Sequence, residues 1–258
     1  MDQDGGTPIL SVAGMRATIR LNRPSVHNRI EPEDLRTLIA HFAAIDADPA
    51  IRVVIITGTG RSFSSGYHLG DLASRPAAEV TGEASFEQML EKLENLRAPV
   101  ICRLNGGVYG GSTDLALCCD FRIGVDTAEM FMPAARLGLH YYPSGMVRYV
   151  SRLGLNAAKK LFLTAEKIAA PEMLAIGYLT EMVPASELDA RVDALADRLA
   201  AMAPLAVQGV KRSLNEIARG QFDVPAALLR AKESQASEDL REGLAAFREK
   251  RVPVFKGR

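Results

Sequence analysis

The sequence predicts a mixed α/β fold that ends in an all-helical region. Two apolar runs rich in branched residues, Ile51–Thr57 and Val100–Leu104, read as buried strands. Each leads into a loop of small residues with glycine near its end, and a helical pattern directly follows the second loop. Beyond Ser186 the periodic segments all carry helical spacing.

Taken in order, Ile9–Val12 and Met15–Leu21 read as a hairpin around Ala13-Gly14, and Asn22-Arg23-Pro24-Ser25 breaks it. Glu31–Asp46 is a helix with an acidic first turn and Pro32 near its first position. Its Leu35, Leu38, Ile39, Phe42 and Ile45 share one face, which makes His41 beside them structural. After the strand Ile51–Thr57 comes a glycine- and serine-rich turn, Gly58–Leu69. The segment from Gly70 to Ser85 mixes Ala, Pro and Gly without periodicity and is expected to be a mobile loop beside the mouth of a site. Phe86–Leu96 is helical. Phe121–Val125, Met130-Phe131 and Leu179–Val183 are short strands, and Met132–Leu139 is a turn with a short helix stopped by Gly138. Tyr149–Leu163 and Pro171–Ile176 are apolar helices. Ser186–Met202, Leu205–Arg219, Val224–Ser234 and Glu238–Lys250 form the helical tail, whose apolar faces need a partner such as a second copy of the chain.

The chain is organised around Pro99–Asp120, PVICRLNGGVYGGSTDLALCCD. Four of the seven residues in Asn105–Gly111 are glycine, which admits positive φ and lets a ligand approach bare backbone. Ser112–Cys119 follows as a largely apolar helix, so unpaired N–H groups and the positive helix end face out of the loop. Asp114 sits within one turn of them. A P-loop is excluded because no lysine precedes Ser112-Thr113, and the dinucleotide fingerprint is excluded by the missing third-position glycine. Two readings stay open: a backbone donor for some other oxyanion, or glycines that let helix and strand pack closely. The parallel turn around Gly66-Tyr67 adds weight to the first, since two converging N–H groups make an oxyanion hole.

Composition narrows the function class. The chain has 258 residues, 48% of them hydrophobic, with 31 basic and 31 acidic side chains. Zero net charge argues against a nucleic-acid or membrane surface. Cys102, Cys118 and Cys119 are odd in number and lie in apolar runs, which suits reduced thiols and a cytoplasmic location. No apolar run approaches the ~18 residues of a membrane span, and the start lacks the basic residues of a signal peptide. The four histidines show no metal spacing.

The motifs SFSSGYHLGDL and NGGVYGGSTDLALCCDFRI, with LNRPSVHN, MFMPAARLGL and EGLAAFREKRVPVFKGR, resemble the enoyl-CoA hydratase/isomerase (crotonase) superfamily, in order from Ile9 to Arg258. The resemblance implies a crotonase-like spiral of ββα repeats over residues 1–200 and a helical trimerisation region over 201–258. It implies a homotrimer or dimer of trimers in fatty acid metabolism, acting on an acyl-CoA thioester with no other cofactor and no metal. The backbone amides of Tyr67 and Gly111 would hold the thioester oxygen. Arg23, Ser25, Arg29, Ser65, Gly66, His68 and Leu69 would line the CoA and acyl site. Phe247 and Lys250 would reach the nucleotide of CoA bound in an adjacent subunit.

Two departures from that pattern matter for chemistry. One of two paired catalytic carboxylates is present, shortened, as Asp114; the other position holds Ala134, which cannot transfer a proton. Close by, His140-Tyr141-Tyr142 stands where relatives place glycine and proline. These three residues narrow the acyl pocket, and His140 is either the catalytic partner of Asp114 or a packed ring hydrogen-bonded to backbone. Tyr141 and Tyr142 are expected as pocket wall, and His68 as a rim residue or a second base. The resulting expectation is a hydratase-type lyase acting through a thioester enolate. The alternatives are a thioester or β-diketone hydrolase using His140, and a CoA-binding relative without catalysis.

Overall fold

The computed structural model describes residues 5–68, 70 and 85–258. Leu69 and nearly all of the expected mobile loop lie outside the described residues. The hairpin forms as β1 (Gly6–Ala13) and β2 (Arg16–Asn22), antiparallel, with Ala17, Ile19 and Leu21 alternately buried. β3 (Val53–Gly58), β5 (Val100–Leu104), β7 (Phe121–Val125) and β10 (Glu181–Val183) extend it into a six-stranded sheet, β1-β2-β3-β5-β7-β10, parallel beyond the hairpin. Every residue of β3 is buried, as expected for a central parallel strand covered on both faces.

The residue pattern alone did not yield a second sheet of four strands, β4 (Ser62–Ser64), β6 (Gly107–Tyr109), β8 (Glu129–Phe131) and β9 (Lys167–Ala169). Successive units deliver one strand to each sheet and then a helix. β3 and β4 precede α2 (Phe86–Glu94), and β5 and β6 precede α3 (Gly111–Cys118). This is the spiral of ββα repeats. It places the β4 and β6 ends side by side, because those strands pair in parallel, Ser62 opposite Gly107.

Helix α1 (Pro32–Ala47) carries a capping box between Glu31 and Asp34, and its Leu35, Leu38, Phe42 and Ile45 are buried. His41 takes the structural role expected of it, its Nε2 lying 2.9 Å from Pro8 O. The expected helix Tyr149–Leu163 begins earlier, as α4 (Pro143–Leu153), and breaks at Gly154 with φ +80°. It resumes as α5 (Leu155–Lys159) and a π turn, Lys160–Thr164. Proline at the first turn and a left-handed glycine set these limits.

After α6 (Ala170–Ala175), α7 (Leu188–Ala200) buries Leu188, Val192, Ala196 and Ala200. Beyond it, α8 (Pro204–Ala218), α9 (Val224–Ala236) and α10 (Glu238–Glu249) bury almost nothing. Leu214, Leu228, Leu229 and Phe247 stand exposed along them, Phe247 at 85%.

Candidate active site

Two turns meet at the front of α3. Gly66 follows β4 with φ +94°, and a Cβ placed there would lie 2.7 Å from Tyr109 O and 3.0 Å from Gly111 N. Only glycine fits so tight a crossing. Ser112 stitches the turns together: its Oγ lies 2.8 Å from Ser64 O and 2.6 Å from Tyr109 O and accepts from Tyr109 N. On its other side the Gly66-Tyr67 turn pairs with Ile30, which donates from N to Gly66 O at 2.9 Å and accepts from His68 N at 2.9 Å. Strand alternation then turns the Tyr67 N–H to the edge away from Ile30. Gly111 is the first residue of α3, and among the described residues nothing accepts its N–H. The Phe86 ring packs over Gly111 and lies 5.2 Å from the Tyr67 ring, centroid to centroid.

One helical turn inward stands Asp114, fully buried. Its Oδ2 accepts from Tyr142 Oη at 2.6 Å and from Arg148 Nη1 at 2.5 Å. Its Oδ1 is buried and has no hydrogen-bond partner among the described residues. Burial pushes the Asp114 carboxyl above the ordinary range, and the Arg148 charge and the two hydrogen bonds only partly oppose this. Behind Arg148 lies Glu94, which takes Nε at 3.1 Å on Oε1 and Nη2 at 3.2 Å on Oε2. Arg152 and Arg219 also donate to Glu94. Burial acts to raise the Glu94 carboxyl, but the three guanidinium groups outweigh it and hold it below its usual value.

The structure does not bring His140 to Asp114. His140 is exposed and its Nδ1 lies 2.9 Å from Tyr141 O, the carbonyl of its own neighbour. Tyr142 reaches Asp114 in its place, because the chain enters α4 at Pro143 with Tyr142 as N-cap. Tyr141 is buried and stacks on Tyr142 at 4.2 Å, hydroxyl to hydroxyl at 2.9 Å. His68 lies with Nδ1 2.8 Å from Glu31 Oε2.

At the rim, Arg23 pairs with Glu33 and Asp34, and Arg29 with Glu31. Ser65 Oγ donates to Val26 O at 3.0 Å, and Ser25 is exposed. Phe247 and Lys250 face outward, far along the chain from this cluster. Ala134, expected at the second carboxylate position, opens a 3-10 turn, Ala134–Leu137, and is 4% exposed. Sequence reasoning missed Arg148 and Glu94. The one available signal was an arginine inside an apolar helix, and it was lost when the helix was begun at Tyr149.

No group of metal-ligating side chains occurs among the described residues. No described helix is long and apolar enough to cross a membrane.

A spiral of ββα units with a glycine crossing at a helix N-terminus and a buried carboxylate one turn on defines the class of crotonase-fold acyl-CoA proteins. This chain belongs to the enoyl-CoA hydratase/isomerase family, whose profile matches residues 14–258. It is 33% identical over 245 residues to a crotonyl-CoA hydratase of Syntrophomonas wolfei, covering 93% of this chain and 94% of that one. It is 33% identical to a carnitinyl-CoA dehydratase of Proteus mirabilis, covering 96% and 98%. Among solved structures, an enoyl-CoA hydratase from Bacillus anthracis superposes with a TM-score of 0.88 at 30% identity, over 98% of this chain and 100% of the other. An enoyl-CoA hydratase/carnithine racemase from Magnetospirillum magneticum reaches 0.92 at 28% identity, over 99% and 98%.

Proposed function

We propose that the chain is a hydratase-type lyase acting on an unsaturated acyl-CoA, with Asp114 as its single proton-handling carboxylate. The thioester oxygen lies between the amides of Tyr67 and Gly111, which stabilise the enolate as water oxygen bonds to Cβ. Asp114 Oδ1 takes the water proton and returns it to Cα, so that one water adds across the double bond with nothing left over. The observation that carries this reading is Oδ1 itself, a buried oxygen without a partner among the described residues, on a carboxyl whose other oxygen is doubly held. Carboxyl burial suits the role, because a raised pKa brings the group closer to neutrality. No cofactor beyond the substrate's own CoA is required.

The hydrolase alternative loses its support with His140 exposed and turned to a backbone carbonyl. The protein works in the cytoplasm as a homotrimer or dimer of trimers, the bare faces of α8–α10 meeting a neighbouring copy. Residues 1–200 form the catalytic core and 201–258 the assembly region. Phe247 and Lys250 would serve the neighbour's CoA, and Arg23, Ser25, Arg29, Ser65, Gly66, His68 and Leu69 the rim of the chain's own site.

Crotonyl-CoA hydration by wild type and Asp114→Asn tests the reading. The expected loss is about 10²–10⁴-fold in kcat. The proposal fails if wild type does not hydrate enoyl-CoA, or if Asp114→Asn does so unimpaired. Tight CoA-thioester binding without turnover of any enoyl-CoA would make the chain a binding relative instead.

A further inference from the structure

The side chain that holds Asp114 comes from α4, and its own orientation is set from α2. Arg148 is 3% exposed, and the fork formed by its Nε and Nη2 is filled by the two oxygens of Glu94. A guanidinium is planar and rigid, so gripping one edge fixes the direction of the rest. The remaining nitrogen, Nη1, then lies 2.5 Å from Asp114 Oδ2. Glu94 is itself pinned: Arg152 and Arg219 donate to its carboxylate, and Asn215 Nδ2 to its backbone oxygen at 3.1 Å.

We propose that Arg148, braced by Glu94, is a positioning residue that claims one oxygen of Asp114 and thereby aims the other at the substrate. This rests on the reading of Asp114 as the proton-handling group. Aspartate is one methylene shorter than glutamate and has one fewer torsion to adjust. With Oδ2 tied to Arg148 and to the hydroxyl of Tyr142, the carboxyl plane is fixed and Oδ1 has a single direction. Proton transfer is intolerant of misplacement, so this aim sets kcat rather than binding.

The two charges of the brace act on Asp114 with opposite sign. Arg148 favours the carboxylate, while Glu94 disfavours it. The titratable and charged groups set around Asp114 are Glu94 on α2, Cys118 on α3, and Tyr142, Arg148 and Tyr149 at α4, with Tyr141 just before α4 and Tyr178 before β10. The tyrosine and Cys118 protons are held well above neutrality by burial, so the carboxyl and guanidinium groups govern the response.

The test uses the full-length protein and crotonyl-CoA, with kcat and KM measured across pH for wild type, Asp114→Asn, Arg148→Met, Arg148→Lys and Glu94→Gln. The limb that vanishes in Asp114→Asn reports Asp114. We expect that limb to move up by about one pH unit in Arg148→Met and down in Glu94→Gln. Arg148→Lys should restore its position by charge while kcat stays about tenfold low for want of the fork, with KM little changed. Shifts of the same sign, no shift, or a rise in KM at unchanged kcat would overturn the proposal. If Arg148→Met does not fold, Arg148→Lys and Glu94→Gln decide it. If wild type hydrates no enoyl-CoA, the hydratase reading falls separately. The same shifts are then read without turnover, from the ¹³C carboxyl resonance of Asp114 titrated in each variant.

Discussion

Replacing Gly66 by alanine probes the crossing of the two turns. The backbone there has φ +94°, and the new Cβ would sit 2.7 Å from Tyr109 O and 3.0 Å from Gly111 N, where ordinary contact begins at 3.4 Å. Both neighbours are backbone atoms of the loop that opens α3, so neither can rotate aside. The turns must part by several tenths of an ångström, and the amides of Tyr67 and Gly111 part with them. Losing one oxyanion donor lowers kcat by about 10²–10³-fold. Partial displacement places Gly66→Ala near 10²-fold, about 2.7 kcal/mol in the barrier. The strained backbone costs about 1–3 kcal/mol in stability, a fall of about 2–12 °C in Tm for a chain of this size. Gly14→Ala supplies the control, because Gly14 has φ +58° with nothing within 4 Å of its added Cβ. It should lose comparable stability and keep its kcat. Steady-state hydration of crotonyl-CoA at a temperature where both variants are folded makes the comparison. The reasoning is refuted if Gly66→Ala retains kcat within about threefold, or if Gly14→Ala loses as much.

Three further outcomes follow from the same geometry. Tyr142→Phe removes the hydroxyl that donates to Asp114 Oδ2 at 2.6 Å. Since that bond lowers the Asp114 pKa, its pH limb should move up, with kcat reduced about tenfold and KM nearly constant in a pH series. Glu94→Leu strips three arginines of the carboxylate they share and should destabilise the fold by about 3–5 kcal/mol, read by urea unfolding at fixed protein concentration. Leu214→Glu combined with Leu228→Glu places charge on apolar faces left bare by α8 and α9, so light scattering should show a smaller particle than wild type.

The first sheet was legible at β3 and β5, central parallel strands buried along nearly their whole length that open on apolar, branched runs. The second sheet was not. Its strands are three residues long, and β6 falls inside the glycine loop, where no alternation can register. That Ala134 stands at the second carboxylate position is what the family resemblance implies. Three adjacent aromatic residues look equivalent in a string, which left His140 open between catalysis and packing. What separates them is the helix start at Pro143, which sends Tyr142 inward and leaves His140 outside. Arg148 and Glu94 went unnoticed, since nothing in their own segments reveals a partner 54 residues away.

The central claim is that the amides of Tyr67 and Gly111 hold one developing oxyanion. A crystal structure with bound acetoacetyl-CoA, whose enol resembles the intermediate, measures this directly. The thioester oxygen should lie about 3 Å from both nitrogens, with the acyl α-carbon facing Asp114 Oδ1. An oxygen within reach of only one amide, or turned toward side chains elsewhere, would contradict the account.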